Sequence, residues 1–499
     1  MNTDVQSQSA PFQRPQRAIA RGQLLIGGQW RDASDGRTEV SIDPSTEQPI
    51  ADVAVATAED AVAAVRAARQ AFDEGPWPRM NPDERTRILF RAADLIEAAT
   101  EDLAYHETID MGMLLRDATQ ICVPFVAASL RYYAGWSTKI DGSVRIHNAQ
   151  KIGLTIRNPI GVVAAISPFN FPLILSFYKI APALACGCTI VHKPASSTPL
   201  SAIRIAQLLQ EAGVPEGVFN LLTGAGSVIG NALVKSPLVN KVGVTGSTNT
   251  GRQIIKDAAN TFKHVTTELG GKSPNIIFAD ADLDRAVEIA FWAAFGNKGE
   301  QCFGGTRLLV EQSVYEEVVA RLSARVKGAK VGDPVDPSVE IGPLATRSEY
   351  TKVRDYIRIG LEEDHARIAA QGDASQLNRG WYVPATLMTG VTNTARIAQE
   401  EIFGPVLPVI PFKDLNDAVQ IANDTPYGLA SAVHTRDQRK LFEVARRLQA
   451  GVVWSNTYGE FDSAMPFGGV KASGIGRELG TEVLDNYLQT KSVWLGGLG

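Results

Sequence analysis

A single cysteine stands in a run of glycines and polar residues that does not resemble a core strand. Cys302 follows Gly299-Glu-Gln and precedes Phe-Gly-Gly, and upstream of it Glu268 stands just before a Leu-Gly-Gly turn. A thiol on a polar loop can act as a nucleophile, and a carboxylate on a turn can act as its general base. Each alone has an ordinary alternative, since most lone cysteines are small buried hydrophobes and acids often cap turns. If the two meet in space, they predict carbonyl chemistry through a thioester.

An amide is the third candidate for this chemistry. Asn170 lies between two prolines in Ser167-Pro-Phe-Asn-Phe-Pro172, on a segment that is otherwise apolar. A buried amide must be hydrogen-bonded or directed at a ligand. The oxyanion of a tetrahedral adduct is one such ligand, so Asn170 is a candidate oxyanion donor.

Two glycine-rich turns predict a phosphate-binding edge. The first, Gly224 to Gly230, has the spacing G-x-G-x-x-x-G, one residue longer than the usual dinucleotide fingerprint, and is equally consistent with a packing turn. The second, from Gly246 to Gly251, enters a helix whose free N–H groups, with the Ser247 hydroxyl, suit a pyrophosphate. Lys193, at the end of a neighbouring strand, is a candidate ribose ligand, although a solvated lysine is the alternative. Two such turns on consecutive strands indicate a nucleotide site.

A parallel sheet is needed to bring these residues together, and the sequence predicts one. Four apolar runs separated by helical patterns occur at near-regular spacing, at 161–166, 189–193, 218–222 and 242–245. Helices are expected to begin after Thr57 and at Asn81-Pro82. Strand–helix alternation of this kind is typical of a Rossmann-like α/β sheet with helices on both faces, a nucleotide-binding architecture.

Beyond Gly271 the alternation begins again and predicts a second α/β domain. Strands are expected at 275–278 and 306–310, on either side of a helix at 282–297. A short strand near 487–495 has no obvious partner, and terminal strands of this kind often pair across subunits. Residues 1–20, rich in Gln, Ser and Pro, are expected to be a disordered lead-in.

Composition excludes several classes of protein. With 499 residues, 44% of them hydrophobic and 21% charged, the chain is an ordinary globular protein of two or three domains. A net charge of −5 without a Lys/Arg block argues against nucleic acid and an anionic membrane surface. The apolar segment 160–185 contains prolines and polar residues, so it is interpreted as a buried strand and helix rather than a membrane span. Four cysteines and six scattered histidines predict a cytoplasmic protein without a metal site.

Seven motifs occur in an order that resembles a known family. Along the chain they are Pro168-Phe-Asn-Phe-Pro172, Lys193-Pro194, Gly246-Ser-Thr-Asn-Thr-Gly251, Glu268-Leu-Gly-Gly-Lys-Ser-Pro274, Gln301-Cys302, Glu401-Ile-Phe-Gly-Pro405 and Pro466-Phe-Gly-Gly-Val-Lys-Ala-Ser-Gly474. The chain resembles the NAD(P)-dependent, hydrolytic aldehyde dehydrogenases over residues 24–495. The resemblance implies a homodimer or homotetramer, with a cofactor domain at 21–135 and 159–270 and a catalytic domain at 271–475. It also implies a small β oligomerisation element at 136–158 and 482–499.

The resemblance assigns roles to matching positions. Cys302 corresponds to the nucleophile, Asn170 with the Cys302 backbone N–H to the oxyanion hole, and Glu268 to the base that activates water. Glu401 and Phe403 match the pair that holds the nicotinamide ribose and packs beside it. The other implied cofactor contacts are Ile166, Ser167, Lys193, Ser196, Gly226, Gly230, Gly246, Ser247, Gly251 and Leu269. The implied substrate channel consists of Phe169, Leu175, Tyr178, Phe303, Phe461 and Phe467.

Two positions depart from common patterns in the family. Many NAD-preferring members carry glutamate at the position of Ser196, where it binds the adenosine ribose and repels a 2′-phosphate. Serine removes that repulsion and can donate to phosphate, so NADP⁺ is expected to be accepted beside NAD⁺. The succinate-semialdehyde branch has arginine at the position of Tyr178, so an uncharged aromatic channel favours an apolar aliphatic or aromatic aldehyde. Gly296, where some relatives carry an aromatic residue, predicts room for a large one.

Two alternative functions are weighed against this prediction. In a CoA-acylating dehydrogenase, CoA rather than water takes the acyl group, but that branch generally lacks a base at the Glu268 position. A structural protein that has kept the fold and lost the chemistry is expected to lose catalytic residues, yet Cys302, Glu268 and Asn170 are all present. A hydrolytic aldehyde dehydrogenase is therefore the prediction, with its physiological aldehyde left open.

Overall fold

The computed structural model describes residues 14, 17–148 and 150–496, and within them it contains twenty strands and fifteen α-helices. The strands are β1 (Leu24–Ile26), β2 (Gln29–Arg31), β3 (Thr38–Ile42), β4 (Pro49–Ala54), β5 (Val144–Asn148), β6 (Lys151–Pro159), β7 (Val162–Ile166), β8 (Thr189–Lys193), β9 (Phe219–Leu221), β10 (Lys241–Thr245), β11 (His264–Glu268), β12 (Pro274–Ile277), β13 (Arg307–Glu311), β14 (Arg367–Gln371), β15 (Thr386–Thr389), β16 (Val406–Phe412), β17 (Ala430–His434), β18 (Val452–Ser455), β19 (Gly474–Ile475) and β20 (Leu488–Gly496). The helices are α1 (Ala58–Asp73), α2 (Pro82–Ala98), α3 (Thr100–Met111), α4 (Leu115–Asp117), α5 (Val123–Ala134), α6 (Pro172–Ala185), α7 (Leu200–Ala212), α8 (Asn231–Lys235), α9 (Thr248–Ala258), α10 (Leu283–Phe295), α11 (Tyr315–Lys327), α12 (Arg347–Glu362), α13 (Arg396–Gln399), α14 (Leu415–Asn423) and α15 (Gln438–Arg447).

The first sheet carries the two glycine-rich turns. Its eight strands run in the order β19-β11-β10-β7-β8-β9-β1-β2. The five strands from β11 to β9 are parallel, as predicted, but β19, β1 and β2 pair antiparallel at the edges. The sheet is therefore mixed, because a short hairpin extends one edge and a returning strand extends the other. Helices α2, α3, α5, α6 and α7 cover one face, and α1, α8 and α9 cover the other.

The predicted helix starts and strand positions are confirmed. Thr57 caps α1 through a reciprocal capping box with Asp60, and Asn81 caps α2 with Pro82 at the first helical position. The four predicted runs are β7, β8, β9 and β10, shifted by one residue or less at each end. The apolar segment 160–185 contains buried β7 and buried α6, and no helix within the described residues is long and apolar enough to cross a membrane.

The second sheet has seven strands in the order β14-β15-β16-β13-β12-β17-β18. All neighbours are parallel except β14 and β15. Helices α10 and α11 pack on one face, and α12 to α15 pack on the other. The predicted strands and helix beyond Gly271 are β12, α10 and β13. Strand β19, which falls inside the region predicted as the catalytic domain, instead joins the first sheet beside β11.

A third, antiparallel sheet is formed by β20, β6 and β5. The terminal strand, for which the sequence shows no obvious partner, pairs with β6 of its own chain from Leu488↔Pro159 to Gly496↔Lys151. A partner so distant in sequence leaves no local pattern. Residues 1–13, 15 and 16 of the predicted lead-in, and residues 149 and 497–499 of the predicted oligomerisation element, lie outside the described residues.

Candidate active site

The turn after β11 packs directly on the cysteine loop. Glu268 is the last residue of β11, and Cys302 lies in the loop between α10 and β13. A Cβ at position 271 would lie 2.2 Å from the carbonyl oxygen of Cys302, so only glycine fits there. The fold therefore brings the predicted nucleophile and the predicted base to the same place.

Asn170 is tied to the cysteine loop through both ends of its residue. Its side-chain Nδ2 donates to the backbone oxygen of Glu300 at 3.0 Å, and its own carbonyl accepts from Asn297 Nδ2 at 2.9 Å. The side chain is buried. A primary amide has two N–H donors, so one remains for a carbonyl oxygen bound at Cys302.

Glu268 is a buried carboxyl group with an unpartnered oxygen. The residue is 4% exposed, and Oε2 accepts no hydrogen bond from any described residue. Burial, and then the negative charge of Glu478, raise the pKa of Glu268 well above its usual value, whereas Lys179 and Arg477 oppose the shift. Gly468 (φ 152°) approaches closely enough that a Cβ there would lie 2.6 Å from Oε1. The carboxyl group is thus held on a rigid turn and is disposed to take up a proton.

A buried ion pair beside Glu268 was not predicted. Lys179 Nζ lies 3.1 Å from Glu478 Oε1 and donates to Thr245 Oγ1 at 2.6 Å. One residue of the pair is recognisable in the sequence, because Lys179 is a lysine within the apolar helix α6. Its partner is brought in by the fold from the far end of the chain, so no spacing pointed to the pair.

The thiol of Cys302 is held in its protonated form. Burial, then the negative charges of Glu401 and Glu268, raise its pKa, and the backbone N–H groups of Phe303 and Cys302 lower it. The thiol therefore needs a proton acceptor before it can attack, and Glu268 lies on the turn that packs against its loop.

A cavity of about 670 Å³ opens above Cys302. Five predicted channel residues line it, namely Leu175, Tyr178, Phe303, Phe461 and Phe467. Phe169 does not, and its ring instead contacts Phe403 edge-on at 5.7 Å. Sequence reasoning missed several other lining residues, which include Phe125, Phe171, Ile174, Trp292 and Tyr458. The first four belong to apolar stretches and Tyr458 belongs to a polar loop, and none has a sequence feature that marks it as part of a cavity wall.

The described part of the cavity wall is largely aromatic. The Phe303 ring lies 4.9 Å from Phe461 and 6.3 Å from Phe171, measured between ring centroids. Its lining includes the acids Asp117, Glu288 and Glu460 but no described lysine, arginine or histidine. Glu288 is already engaged by Arg325 and by the Trp292 indole. The wall therefore offers apolar contact and no described cation to pair with a substrate carboxylate.

The glycine turns of the first sheet leave room for a ligand backbone. A Cβ at Gly226, Gly230 or Gly246 would meet no atom within 4 Å. Ser247 caps α9 by accepting from Thr250 N at 3.2 Å, so the first turn of the helix begins directly after Gly246. Open space at a helix N-terminus fits a pyrophosphate. Glycine at position 251 is needed for packing instead, because a Cβ there would lie 2.5 Å from the Leu269 side chain.

The other predicted cofactor residues lie along the same edge of the sheet. Lys193 ends β8 and is buried, which lowers its pKa to about 8, and its Nζ donates to the Pro194 carbonyl at 2.7 Å. Ser196 is exposed at a hollow of about 270 Å³ that Thr223 also lines. Ile166 ends β7, and the hydroxyl of Ser167 lies 3.0 Å from His192 Nε2. These residues fit an adenosine dinucleotide.

Glu401 lies between this edge of the sheet and the turn after β11. Its Oε1 accepts from the Gly271 N–H at 2.9 Å, and a Cβ at Gly270 would lie 2.4 Å from Oε2. Phe403 has a left-handed backbone (φ 62°). Within the described residues, no group of histidine, cysteine or acidic side chains could hold a metal ion.

Comparison with known proteins gives one consistent result. The family model described as "Aldehyde dehydrogenase family" matches residues 30–493. The chain is 43% identical to a mitochondrial benzaldehyde dehydrogenase of Antirrhinum majus over 96% of this chain and 90% of that protein. It superposes on an NAD⁺ complex of an aldehyde dehydrogenase from Bacillus cereus with a TM-score of 0.93 and 43% identity, covering 95% of this chain and 96% of the other. An indole-3-acetaldehyde dehydrogenase in complex with NAD⁺ gives the same TM-score, identity and coverage.

Proposed function

This chain belongs to the aldehyde dehydrogenase family, and from that premise we propose that it oxidises an apolar aldehyde, aliphatic or aromatic, to the carboxylic acid with NAD⁺ or NADP⁺. The observation that carries the proposal is the position of Cys302 below a largely aromatic cavity with no cation among its described lining residues, against the turn that holds Glu268. The nucleophile, the base and the oxyanion donor then have separate tasks.

The first step is addition of sulfur to the aldehyde. Glu268 accepts the thiol proton, directly or through water, and the Cys302 sulfur forms a bond to the carbonyl carbon. The carbonyl π electrons move to oxygen, which becomes an alkoxide. The free N–H of Asn170 and the backbone N–H of Cys302 donate to that oxygen and stabilise the thiohemiacetal.

The second step removes hydride and leaves a thioester on Cys302. A nicotinamide dinucleotide, when bound, supplies the hydride acceptor. The alkoxide electron pair re-forms the carbonyl bond as the hydride leaves, so the two donors to the oxygen act throughout this step. Glu401, held by the Gly271 N–H beside the cysteine loop, is the residue we assign to the nicotinamide ribose, with Phe403 packing next to it.

The third step is hydrolysis. Glu268 first releases to solvent the proton that it took from the thiol. It then takes a proton from water as the oxygen attacks the thioester carbon, and the carbon–sulfur bond breaks to release the acid. The proton on Glu268 passes to the Cys302 thiolate, which restores the starting thiol. Glu268→Gln is expected to reach a burst of one NAD(P)H per active site, more slowly than the native enzyme because the thiol proton must pass to solvent, and then to stall. The matched control is Glu443→Gln, an exposed acid paired with Arg447. An unchanged steady-state rate in Glu268→Gln would contradict this step and favour CoA as the acyl acceptor.

An apolar substrate is supported by the wall of the cavity. No described cation lines it, and its volume of about 670 Å³ leaves space for an aromatic aldehyde beside Gly296. Two relatives act, by name, on benzaldehyde and indole-3-acetaldehyde, both aromatic. The test compares kcat/KM for benzaldehyde, hexanal and succinate semialdehyde. A higher value for succinate semialdehyde than for both others would overturn the proposal.

Use of both cofactors is proposed from Ser196. NAD⁺ is supported by the NAD⁺ complexes of two relatives. NADP⁺ is proposed because Ser196 is exposed and carries no charge that would repel a 2′-phosphate. The measurement is kcat/KM with each cofactor, and Ser196→Glu is expected to lower only the NADP⁺ value. A hundredfold preference of the native enzyme for NAD⁺, roughly 2.7 kcal/mol, would contradict the proposal.

Three further features stay proposals. We assign cofactor binding to the first sheet, the catalytic nucleophile to the second and subunit pairing, as a dimer or tetramer, to the third, whose β5 side chains are exposed. Sedimentation of the native enzyme and of a variant lacking β20 tests the last assignment. A cytoplasmic location also stays a prediction, and one relative is mitochondrial by name.

A further inference from the structure

The loop before the nucleophile contains three consecutive residues with left-handed backbone. Asn297, Lys298 and Gly299 have φ angles of 45°, 51° and 75°. That region is unfavourable for residues other than glycine, and it persists only where surrounding contacts hold the chain there. Two such residues in succession, four and five positions before Cys302, therefore require contacts that fix them.

Lys298 supplies those contacts from a fully buried position. Its Nζ lies 3.3 Å from Glu300 Oε2, and it donates to the Met111 carbonyl at 2.9 Å and to Asn297 Oδ1 at 3.1 Å. The side chains of Lys298 and Glu300 are 1% and 0% exposed. A buried ion pair seldom stabilises a fold more than an apolar pair would, because desolvation offsets the attraction. Its presence points to a role in fixing one arrangement of the loop.

The same contacts continue to the oxyanion amide. Lys298 engages Asn297 Oδ1, which orients the Asn297 amide so that its Nδ2 donates to the Asn170 carbonyl at 2.9 Å. Glu300, whose carboxylate also accepts from the Ala345 N–H, presents its backbone oxygen to Asn170 Nδ2 at 3.0 Å. Both ends of Asn170 are therefore tied to the residues that Lys298 holds.

We propose that Lys298 is a positioning residue for the oxyanion hole, acting through Asn297 and Glu300 to direct the free N–H of Asn170 at the aldehyde oxygen. The inference rests on the proposed role of Asn170 as the oxyanion donor. Asn297 lines the substrate cavity but Lys298 does not, so Lys298 acts without touching the substrate.

The test replaces Lys298 by methionine, which keeps length and removes the ammonium group. The burst rate of NAD(P)H formation is expected to fall roughly 10- to 100-fold, as misplacement by about 1 Å can do, with KM for the aldehyde nearly unchanged. The rate of Cys302 alkylation by iodoacetamide is expected to stay at the native value, because it needs no oxyanion donor. Lys263→Met is the matched control, since it removes a lysine whose side chain, among the described residues, is hydrogen-bonded only to the Ser236 carbonyl. Alkylation that slows in parallel with the burst would indicate a collapsed loop and overturn the inference.

A double-mutant cycle separates this inference from the proposed function. Asn170→Ala is expected to slow the burst by about 10²- to 10³-fold. Lys298→Met should then cause no further loss in the Asn170→Ala background, and an equal loss in both backgrounds would refute action through Asn170. If Asn170→Ala has no effect, the oxyanion role itself is wrong. If Asn170→Ala slows the burst and Lys298→Met does not, only the positioning role is wrong.

A second variant distinguishes position from charge balance. Lys298→Met combined with Glu300→Gln removes both buried charges and keeps an acceptor for the Ala345 N–H. The pair is expected to remain as slow as Lys298→Met, because the contact to Asn297 is still lost, and recovery of the native rate would overturn the inference. If Lys298→Met does not fold, Asn297→Ala interrupts the same connection one residue nearer to Asn170, with the same expected results in both the alkylation assay and the cycle.

Discussion

Cys302 separates two regions of opposite character. On one side is the substrate cavity, whose wall is mostly aromatic and aliphatic, with three acids but no described lysine, arginine or histidine. On the other is a set of ionisable side chains of which each is 4% exposed or less, namely Glu268, Lys179, Glu478, Lys298 and Glu300. The same sulfur thus faces a wall that discriminates by shape and a base region that is organised by charge.

The difference teaches what each region can tolerate. A buried charge is costly unless it is paired and hydrogen-bonded. Removing one member of the charged set therefore leaves its partner as an unpaired buried charge, which is destabilising. An aromatic side chain at a cavity can be exchanged for another with only a change in shape. Substitutions behind Cys302 should therefore change the rate of a chemical step for every aldehyde, and substitutions in the wall should change which aldehyde is used.

The largest effect is expected at the boundary itself. Cys302→Ala removes the atom that forms the covalent bond, and loss of such a nucleophile costs on the order of 10⁴-fold or more in kcat. The rate of NAD(P)H formation is measured with one apolar and one small aldehyde, and activity on both aldehydes should be lost to the same extent. Cys186→Ala, which removes a buried thiol outside the cavity, should keep the native kcat per folded molecule. A kcat close to native in Cys302→Ala would contradict the role of Cys302 as the nucleophile that lies between the two regions.

The next effect is a pH dependence that belongs to the charged side alone. Burial and the charge of Glu478 raise the pKa of Glu268, so the protonated form, which cannot act as a base, persists above the usual carboxyl range. Hydrolysis should therefore slow about tenfold for each pH unit below that raised pKa and level off above it. The steady-state rate of Glu268→Gln should lose this slope. Phe461→Ala, a change in the wall, should keep it, and a changed slope in that variant would break the comparison.

How far the sequence predicts each region follows from the same contrast. Cys302, Glu268 and Asn170 stand out because their residue types do not suit their apolar or glycine-rich surroundings. The wall has no such signal, as Phe169 and Phe171 illustrate. They lie two positions apart in one motif, yet the first packs on Phe403 and the second lines the cavity. Only the path of the chain decides between them.

Long-range pairings limit prediction of the fold in the same way. The alternation of strands and helices predicts both large sheets, because each element leaves a local pattern. The contact of Lys179 with Glu478 and the pairing of β20 with β6 join segments far apart in sequence. Neither pairing produces a sequence pattern that predicts it, so only the structure shows them.

A change in the wall should alter selectivity by a smaller amount. Phe461 contacts the Phe303 and Phe467 rings at 4.9 and 5.3 Å between centroids. Phe461→Ala should raise KM for benzaldehyde about tenfold, since apolar contact in a pocket is lost, with little change for acetaldehyde. The exposed Phe442 provides the control Phe442→Ala, which should change neither value. An equal loss of kcat for both aldehydes would place Phe461 with the charged side.

The smallest effect sharpens where the wall ends. Tyr178 is 3% exposed, its ring packs on Phe125 and Phe467, and its hydroxyl forms no hydrogen bond with another described residue. Burial raises the pKa of this hydroxyl, and Tyr178 lines the same cavity as Cys302.

Tyr178→Phe removes that hydroxyl and keeps the ring, so the wall should stay packed. Because benzaldehyde has no substituent to bond it, kcat/KM for benzaldehyde should be nearly unchanged. An aldehyde whose substituent bonds the hydroxyl should lose about 2- to 10-fold, the value of one neutral hydrogen bond, and 4-hydroxybenzaldehyde is the probe. A parallel loss for both aldehydes, seen in the burst rate, would mean that Tyr178 assists the chemistry at Cys302. The charged region would then include Tyr178, and the wall would no longer act on the substrate through shape alone.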